Sequence, residues 1–555
     1  MKKTSILLAT TLSLYGAPIP NISDFLNEVK QPKIEKKQEV LPPLQQDTEE
    51  YKKNFEDGKK VFIKSYLISG NTQINTTKIQ AILKSYGSKE LSFQKMQEIV
   101  ALITQAYRDA GYFIARAYIP TQNLQAQNGV LKIAVIEGKY GEFKLENKSL
   151  VKDSILQAKL ARTQKEEIIA TKGLQRSLLL INDTPGVKVS STKITAGKEV
   201  GSSDFIIGTE TTNPYNGYII ADNYGSDYTG KHRVMTGVDI NSPFKIGDKI
   251  SLSALSSENA GLLNGRVAHD FPIHANGFRG EVSYSKTAYE LGDTYEDLDA
   301  LGDADSFVAL FTYPIIRLND ENLNTYLRTS YNIMTDEVQS TASEIEKNTL
   351  VSTVGFDYLK THLISTKSSQ TKLDTSLTFG KLNFKNSFDR ENDESGANTN
   401  GNFSKVNIEL ENNTLLNHSI NWKNKLQLQY ALGNKNLDGS QDLSIGGING
   451  VKLYPDGEES AENGYIYSSE MTYTLPYYKG VNSKVGLFYD IAHVKMSKDT
   501  TNEKSRTLQD IGISYYASYK DFFINTHLAQ KIGAAKVTSK DDYNRRFIFQ
   551  AGFVF

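Results

Sequence analysis

The chain has 555 residues, 39 % of them hydrophobic, and its 63 basic and 64 acidic side chains leave a formal net charge of −1. This balance offers no overall positive field, so we predict no nucleic-acid partner. The absence of cysteine excludes a disulfide framework and a lipoprotein acceptor. No apolar run after the first residues approaches the roughly 20 residues of a membrane-spanning helix. Any membrane-embedded form must therefore be a closed barrel, because an open sheet edge would leave backbone groups unpaired in lipid.

The amino-terminal residues have the pattern of a secretory signal peptide. Lys2 and Lys3 precede an uncharged, mostly apolar stretch at positions 4–14, which is too short to span a bilayer as a helix. We assign residues 1–17 to the signal peptide and leave the cleaved bond open.

Residues 18–60 are predicted to form a short amphipathic helix followed by a disordered tether. The helix places four apolar side chains on one face, with Asn21 or Ser23 as its cap: Ile22, Phe25, Leu26 and Val29. From residue 31 onwards Lys, Glu, Gln and Pro dominate, a composition that cannot bury enough surface to fold alone.

Residues 61–139 and 140–208 are predicted to be two successive α+β modules of similar layout. In the first, a β-rich run at 61–69 precedes two helices, near 77–84 and after a Ser92 cap, and then strands at 113–119 and 130–136. The second repeats the plan, with strands and helices at 143–147, 152–160, 172–181, 187–195 and 203–208.

Residues 209–555 contain repeated alternating strands and almost no helical period. Leu426, Leu428 and Tyr430, for example, alternate with Gln427 and Gln429. A polar second face indicates side chains that meet water, which is typical of a wide membrane barrel with a hydrated lumen. Counting candidate strands predicts about 16 of them.

The final strand ends on an aromatic residue with no polar tail after it. One side of it carries Phe547, Phe549, Ala551, Phe553 and Phe555. Such a face requires an apolar environment, as on the lipid side of an outer-membrane barrel. The last strand of a soluble sandwich is the alternative for this segment taken alone. We expect the final strand to pair with residues 218–222 and close the barrel.

Several short motifs in a fixed order connect these zones. They are Ile68-Ser69-Gly70-Asn71, the segment 115–122, Val135-Ile136-Glu137-Gly138, the segment 180–187, the segment 196–204 and the segment 222–233. On these motifs the chain resembles the outer-membrane transporters of two-partner secretion, the TpsB family of ShlB, FhaC and HecB type. The resemblance implies two POTRA domains, at 61–139 and 140–208, before an antiparallel barrel at 209–555. It also implies that Phe553 and Phe555 form the signal for barrel assembly.

The family resemblance extends to a long sixth loop that folds back into the barrel. The matching tip here is Val451-Lys452-Leu453-Tyr454, with Lys where the family has Arg and Leu where it has Gly. The family's arginine reaches an aspartate on a lumen-facing strand, which corresponds to Asp490. We expect a Lys452–Asp490 lock of altered geometry, because an ammonium lacks the planar fork of a guanidinium. The alternative is that Lys452 is a solvated loop lysine.

The resemblance implies transport of an unfolded exoprotein from the periplasm to the cell surface. The chain has no phosphate-binding GxxxxGK[ST] loop, so we expect transport without ATP. We suggest that strands of the first module capture the exoprotein by strand addition. The alternative is that these strands only complete a small sheet. The residues concerned are Ala115, Arg116, Tyr118, Ile119, Leu131, Ile133 and Val135. The amphipathic helix resembles the family's pore plug, with a partner-binding or membrane-surface segment as the alternative.

The remaining expectations concern partners, location and competing functions. We expect the outer membrane as the location, with the POTRA domains in the periplasm, and outer-membrane lipid and the barrel assembly machinery as partners besides the exoprotein. The seven histidines show no HExxH spacing and no GxSxG elbow is present, so no enzyme, metal or cofactor is predicted. An insertase similar to BamA or TamA and a passive porin are the alternatives. The sequence does not distinguish an adhesin, a cytolysin or a haem-scavenging protein as the passenger.

Overall fold

The computed structural model describes residues 20–29, 41–46, 60–433, 435–497, 505–539 and 542–555. The predicted signal peptide lies outside these residues, as does most of the predicted tether. Within them, no helix is long and apolar enough to cross a membrane.

Two short elements precede the first module. Helix α1 spans Ile22–Glu28, and the Asn21 side chain caps it by accepting from the backbone N–H of Ser23. The Asp24 carboxylate accepts from the Asn21 N–H in return, which completes a capping box. Strand β1 spans Leu44–Gln46. The prediction of a tether disordered throughout is therefore wrong at this strand.

The first module packs two main helices on a small sheet. Its elements are β2 (Val61–Ile63), β3 (Ser65–Ser69), α2 (Thr76–Leu83), β4 (Lys89–Leu91), α3 (Phe93–Asp109), β5 (Arg116–Tyr118) and β6 (Val130–Ile136). Helix α3 begins after Ser92, as predicted, because the Ser92 hydroxyl accepts from the Lys95 N–H at 3.3 Å. The main sheet has the order β3-β6-β5, so β6 is central and β3 and β5 are its edges.

The second module has the same components and a longer sheet. Its elements are β7 (Lys139–Lys148), α4 (Asp153–Gln164), α5 (Thr171–Asn182), β8 (Lys188–Ala196) and β9 (Ser202–Glu210). The sheet order is β1-β8-β9-β7, so the strand from the tether lies at one edge. The apolar faces of both helices cover this sheet, with Leu156, Leu178, Ile181 and Phe205 in the core.

The third zone is a closed antiparallel barrel of 16 strands, which confirms the predicted fold class and strand count. The first eleven are β10 (Tyr215–Asp222), β11 (Arg233–Asn241), β12 (Lys249–Ser257), β13 (Leu262–Pro272), β14 (Arg279–Glu290), β15 (Ala300–Arg317), β16 (Glu321–Val338), β17 (Ser343–Ile364), β18 (Lys367–Phe384), β19 (Gly401–Leu415) and β20 (Ile420–Ala431). A helix, α6 (Ser387–Ser395), lies between β18 and β19, and a small hairpin, β21 (Leu443–Ser444) and β22 (Ser460–Ala461), follows β20. The barrel is completed by β23 (Asn463–Thr474), β24 (Val481–Lys495), β25 (Ser505–Tyr519), β26 (Phe522–Lys531) and β27 (Arg545–Val554).

Side-chain alternation gives the barrel wall two distinct faces. On β10, Ile219 is 52 % exposed and points outwards, whereas its neighbour Ile220 is 1 % exposed and points into the lumen. Apolar side chains without cover on the outer face require lipid. The last strand pairs with the first as expected, with Tyr218 opposite Val554 and Asp222 opposite Gln550. This seam leaves the barrel without a free edge.

The second module docks directly on the rim of the barrel at which β15 ends and β16 begins. The Arg317 guanidinium donates to both carboxylate oxygens of Asp183, at 2.7 and 2.6 Å. From the module side, Arg176 donates to the Pro314 carbonyl at 2.6 Å. A bidentate pair fixes orientation as well as distance. The sheet of the second module is thereby held beside the entrance of the lumen.

Candidate functional site in the barrel lumen

Helix α1 lies inside the barrel, against the wall formed by β14, β15 and β16. Ile22 and Phe25 are completely buried among inward-facing side chains such as Leu262 and Met334. The rings of Phe25 and Tyr289 have centroids 4.7 Å apart. A seven-residue helix is unstable in water by itself, so these contacts hold it in shape.

Polar contacts fix the orientation of α1. The Ile22 N–H, which the helix itself cannot satisfy, donates to the Asp336 carboxylate at 2.7 Å. Asp336 also accepts from the Tyr289 hydroxyl at 2.8 Å. At the other end, the Glu28 carbonyl accepts from Arg233 at 3.4 Å. Both ends of the helix are therefore tied to residues of the barrel wall.

The loop between β20 and β23 is the second segment inside the barrel. Its hairpin, β21 with β22, pairs Leu443 with Ala461 and Ser444 with Ser460. The tip residues Val451, Leu453 and Tyr454 are completely buried, in a cluster with the lumen-facing residues of β23 to β26. The loop also contacts α1 at residues 439–441. The two inserted segments therefore form one continuous filling of the lumen.

The structure brings Lys452 and Asp490 together. The ammonium Nζ donates to Asp490 Oδ2 at 2.7 Å, and the two side chains are 12 % and 0 % exposed. The same Nζ lies 4.5 Å from the centroid of the Phe488 ring, in a cation–π arrangement. The Ser468 hydroxyl donates to the other oxygen of Asp490. Because Lys452 is this deeply buried, the alternative interpretation, in which it is a solvated loop lysine, does not apply.

A second carboxylate, which the sequence did not single out, lies beside the first. Asp510 is directly opposite Asp490 on the neighbouring strand. Its Oδ2 accepts from the backbone N–H of Leu453 at 2.6 Å, whereas its Oδ1 is buried without a hydrogen-bond partner among the described residues. A lysine thus leaves one acceptor unused that a guanidinium fork could fill.

Backbone carbonyls of the loop tip are also held by the barrel wall. Arg546 on the last strand donates to the Tyr454 carbonyl at 2.6 Å and to the Lys452 carbonyl at 3.2 Å. The Tyr543 hydroxyl donates to the Leu453 carbonyl at 3.0 Å. These donors add to the hydrogen bonds within the loop, such as the one from the Gly447 N–H to the Tyr454 carbonyl at 2.9 Å.

The part of the loop between the tip and β22 is held separately, by Glu458. Glu458, completely buried, pairs with Arg506 at 2.5 Å. It also accepts from the Thr538 N–H at 2.7 Å and from the Ser539 hydroxyl at 2.6 Å. The loop is consequently fixed at two sites, the Lys452 tip and the Glu458 carboxylate.

The residues suggested for exoprotein capture divide into two groups. Leu131, Ile133 and Val135 lie on the middle strand β6, where β3 pairs with residues 130–134 and β5 with residues 134–136, and their side chains are buried in the core of the first module. Their side chains are therefore not available to a partner, and their part in capture stays a prediction.

The other four residues lie on or beside the edge strand β5. Arg116 and Tyr118 are exposed there, whereas Ala115 is buried and Ile119 packs partly on the core. Only Arg116 and Tyr118 are available to a partner's side chains. The first module therefore keeps a smaller candidate surface than the sequence suggested.

The carboxyl-terminal aromatics lie on the barrel seam. Phe555 and Gly217 exchange two backbone hydrogen bonds, of 2.8 and 2.9 Å. Phe553 and Phe555 lie on the outer face with ring centroids 5.6 Å apart. A side chain on Gly217 would collide with the Phe555 ring. Their role as an assembly signal stays a prediction.

The structure defines a class of protein: an outer-membrane transporter in which two periplasmic α+β modules stand before a 16-stranded barrel that two of its own segments fill. The model of the haemolysin secretion/activation protein ShlB/FhaC/HecB family matches residues 201–515, and that of the ShlB-type POTRA domain matches residues 61–138. The chain belongs to the ShlB/FhaC/HecB family. It resides in the outer membrane with its POTRA domains in the periplasm, and it exports a partner exoprotein in two-partner secretion.

Individual relatives agree with this assignment. The chain is 27 % identical over 470 residues to the heme/hemopexin transporter protein HuxB of Haemophilus influenzae strain 86-028NP, which covers 83 % of this chain and 82 % of HuxB. The solved structure of CdiB from Escherichia coli has a TM-score of 0.74 at 16 % identity, over 92 % of this chain and 93 % of CdiB. BamA from Haemophilus ducreyi, lacking POTRA domains 1–3, has a TM-score of 0.51 at 15 % identity, over 89 % of this chain and 100 % of the BamA chain. The two structural likenesses concern the fold alone.

Proposed function

We propose that the protein captures an unfolded exoprotein at the sheet edges of its POTRA domains and threads it through the lumen after α1 and the loop tip have moved aside. The observation that carries this proposal is the filled lumen. A polypeptide cannot share the space that α1 and residues 445–461 occupy, so both segments must move for export.

The two segments differ in how firmly they are held. Burial of Ile22 and Phe25 gives α1 about 5 kcal/mol before the cost of ordering the helix is subtracted. The loop tip adds a buried ion pair, hydrogen bonds donated by Arg546 and Tyr543, and one that Asp510 accepts from the Leu453 N–H. Helix α1 is therefore the segment that leaves first, as a plug, and the loop tip is the lock.

The direction of transport follows from where energy is available. The chain has no nucleotide-binding loop, and we propose that it catalyses no reaction and binds no cofactor. Folding of the exoprotein at the cell surface makes each exit step irreversible. Backbone pairing at POTRA edges suits this task, because it gives affinity with little demand on sequence.

The remaining partners follow from the barrel surface. We propose that lipid covers the outward apolar face and that the assembly machinery recognises the final strand at Phe553 and Phe555. With a balanced charge, nucleic acid is not a partner. The HuxB proteins are named heme/hemopexin transporters, so a haem-scavenging exoprotein is the first passenger to test.

The test is co-production of this chain with a candidate exoprotein, sought as a large secreted protein encoded beside the gene, scored by appearance of that protein in the medium. Export is expected from the intact chain and not from a variant lacking residues 61–208. A passive porin would still conduct small solutes without those residues. An insertase would instead be revealed by loss of other barrel proteins from the outer membrane while the medium stays empty, and that result would refute the proposal.

A further inference from the structure

A segment of the tether occupies the edge of the second module's sheet. Strand β1 pairs in parallel with β8, with Leu44 opposite Thr192, Gln45 opposite Lys193 and Gln46 opposite Ile194. Without β1, β8 would be the edge strand, because its other side pairs with β9. The chain therefore performs strand addition on itself, at a distance of more than 140 residues along the sequence.

An apolar contact and two prolines precede the paired residues of β1. Leu41 packs against the hydrophobic core of the second module. Pro42 and Pro43 separate it from β1 and restrict the backbone to extended conformations. Leu44 remains 39 % exposed. The segment thus has one partly buried apolar side chain on the core and three paired residues, which is little for a stable attachment.

The opposite edge of the same sheet is unsuited to strand addition. Strand β7 carries exposed Lys144, Glu146 and Lys148 along its length. Charged side chains, lysine above all, are the means by which natural edge strands avoid pairing. Strand β8 carries the exposed Lys193 among the three residues that pair with β1, whereas its run from Val189 to Thr192 has no charge. Because β8 already accepts β1 as a parallel neighbour, it is the edge of this sheet that can receive an extended chain.

We propose that the β8 edge is the exoprotein-docking surface of the second module, and that residues 41–46 are a built-in occupant that an extended exoprotein segment displaces. The partner chemistry is an unfolded segment with an apolar residue for the Leu41 site and no proline at the paired positions. This inference rests on the proposed export function, which it deepens by naming the receiving strand.

The tether also connects this edge to the plug. From Val29, at the end of α1, to Leu41 is 12 residues, which span at most about 40 Å when fully extended. Once residues 41–46 are released, the next element of the described chain is β2 at Val61, 32 residues from Val29, and the largest possible span grows to about 110 Å. Docking of an exoprotein at β8 thereby lengthens the segment that connects α1 to the first module. The longer segment favours departure of α1 from the lumen.

A disulfide between β1 and β8 tests the displacement step. Gln45 and Lys193 lie opposite each other and are both exposed, and neighbouring strands about 4.8 Å apart meet the geometry of a disulfide. The chain has no other cysteine, so the double variant Gln45→Cys with Lys193→Cys forms one defined link. The control is Lys144→Cys with Ile206→Cys, a parallel pair between β7 and β9 that leaves the β8 edge unchanged.

The expected result is a high yield of the Gln45–Lys193 link on oxidation, and a loss of export of about tenfold or more because a covalent strand cannot be displaced. Reduction with dithiothreitol should restore export, and the control should export in both states. Failure of the link to form in the full chain would overturn the occupancy of β8. Normal export by the oxidised variant would overturn the displacement. Absence of export from the unmodified chain would refute the export function itself. The proposed displacement of residues 41–46 from β8 would then be refuted too.

Discussion

Replacing Lys452 with Met should release the loop tip. The substitution keeps the length and apolar stem of the side chain but removes the only ammonium that the described structure places on Asp490. Two buried carboxylates, Asp490 and Asp510, then remain opposite each other on neighbouring strands. Because a buried carboxylate without a counter-ion is costly, the folded-back loop loses more than a hydrogen bond.

The size of the effect can be estimated from the burial of the pair. Removing one partner of a buried ion pair costs about 3–5 kcal/mol. The contacts of Arg546 and Tyr543 with the loop backbone are unaffected, so the loop is weakened and not abolished. About 4 kcal/mol corresponds to a rise of nearly 10³-fold in the open population, since every 1.4 kcal/mol is tenfold.

Hydrogen exchange of residues 445–455 in the full chain measures this opening. We expect Lys452→Met to lose protection there by two to three orders of magnitude, about what the lost ion pair supplies, and to show larger conductance fluctuations in a planar bilayer. Lys452→Arg should keep the protection, because its fork reaches Asp490 and offers a donor to the unpartnered oxygen of Asp510.

The matched control is Lys286→Met, which removes an exposed lysine from its pairs with Asp303 and Asp305. Such pairs contribute about 0–1 kcal/mol, so exchange in the loop should not change. If the Lys452 and Lys286 variants showed the same loop protection, the ion pair would not hold the tip. If the arginine variant opened like the methionine variant, the reasoning about the second acceptor would be wrong.

Three further expectations concern other parts of the chain. Phe25→Asp should unseat α1 and raise single-channel conductance, since losing a buried aromatic costs about 3–5 kcal/mol. The Asn21→Ala cap variant should have a smaller effect, about 1 kcal/mol. Gly217→Val should lower the temperature at which the barrel unfolds on a denaturing gel, because any β-carbon there meets the Phe555 ring, whereas Gly265→Ala, with open space around it, should not. Glu137→Gln should destabilise the first module by about 2 kcal/mol at neutral pH, measured by hydrogen exchange.

The pH dependence of the Glu137 variant follows from its contacts. Burial acts to raise the pKa of Glu137, but hydrogen bonds from Gln73, Thr72 and the Tyr107 hydroxyl outweigh it and hold the pKa below the ordinary value of 4.5. A lowered carboxyl pKa stabilises the fold above the unfolded pKa, and this stabilisation is lost as pH falls through the folded pKa. The difference in free energy of unfolding between the original module and the Glu137→Gln module should therefore reach its full value at pH 7 and vanish in strong acid. A constant difference across that range would show that the charge is irrelevant.

The barrel was predictable because its strands show the same alternation of apolar and polar residues. Alternation such as that of Leu426 with Gln427 is set by lipid outside and water inside, so it is visible in the sequence without knowledge of neighbours. The closing pair of β10 and β27 followed from the aromatic end of the chain. Helix α3 was predictable for a similar reason, because its Ser92 cap and its apolar spacing are local.

Contacts across the lumen were not predictable in the same way. Asp336, Asp510 and Arg546 look like any other polar residue on a lumen-facing position, and their importance comes from segments that arrive from far along the chain. Lys452 and Asp490 were found only through family resemblance. Strand β1 has three residues in a proline-rich stretch, and its pairing depends on β8 and not on its own pattern.

The order in which the lumen empties follows from how each segment is attached. Helix α1 contacts the loop at residues 439–441, and Glu28 at its end lies beside Gly457, next to the Glu458 anchor, so the departure of α1 removes support from the loop. Movement of the loop first would break two buried ion pairs while the lumen remained filled. Departure of α1 first costs its small apolar face and the hydrogen bonds of its ends with Asp336 and Arg233, and it opens space beside the loop into which water can enter. Water then solvates the carboxylates that Lys452 and Arg506 neutralise, which lowers the cost of releasing the loop. We therefore expect release of α1 to precede release of the loop, and not the reverse.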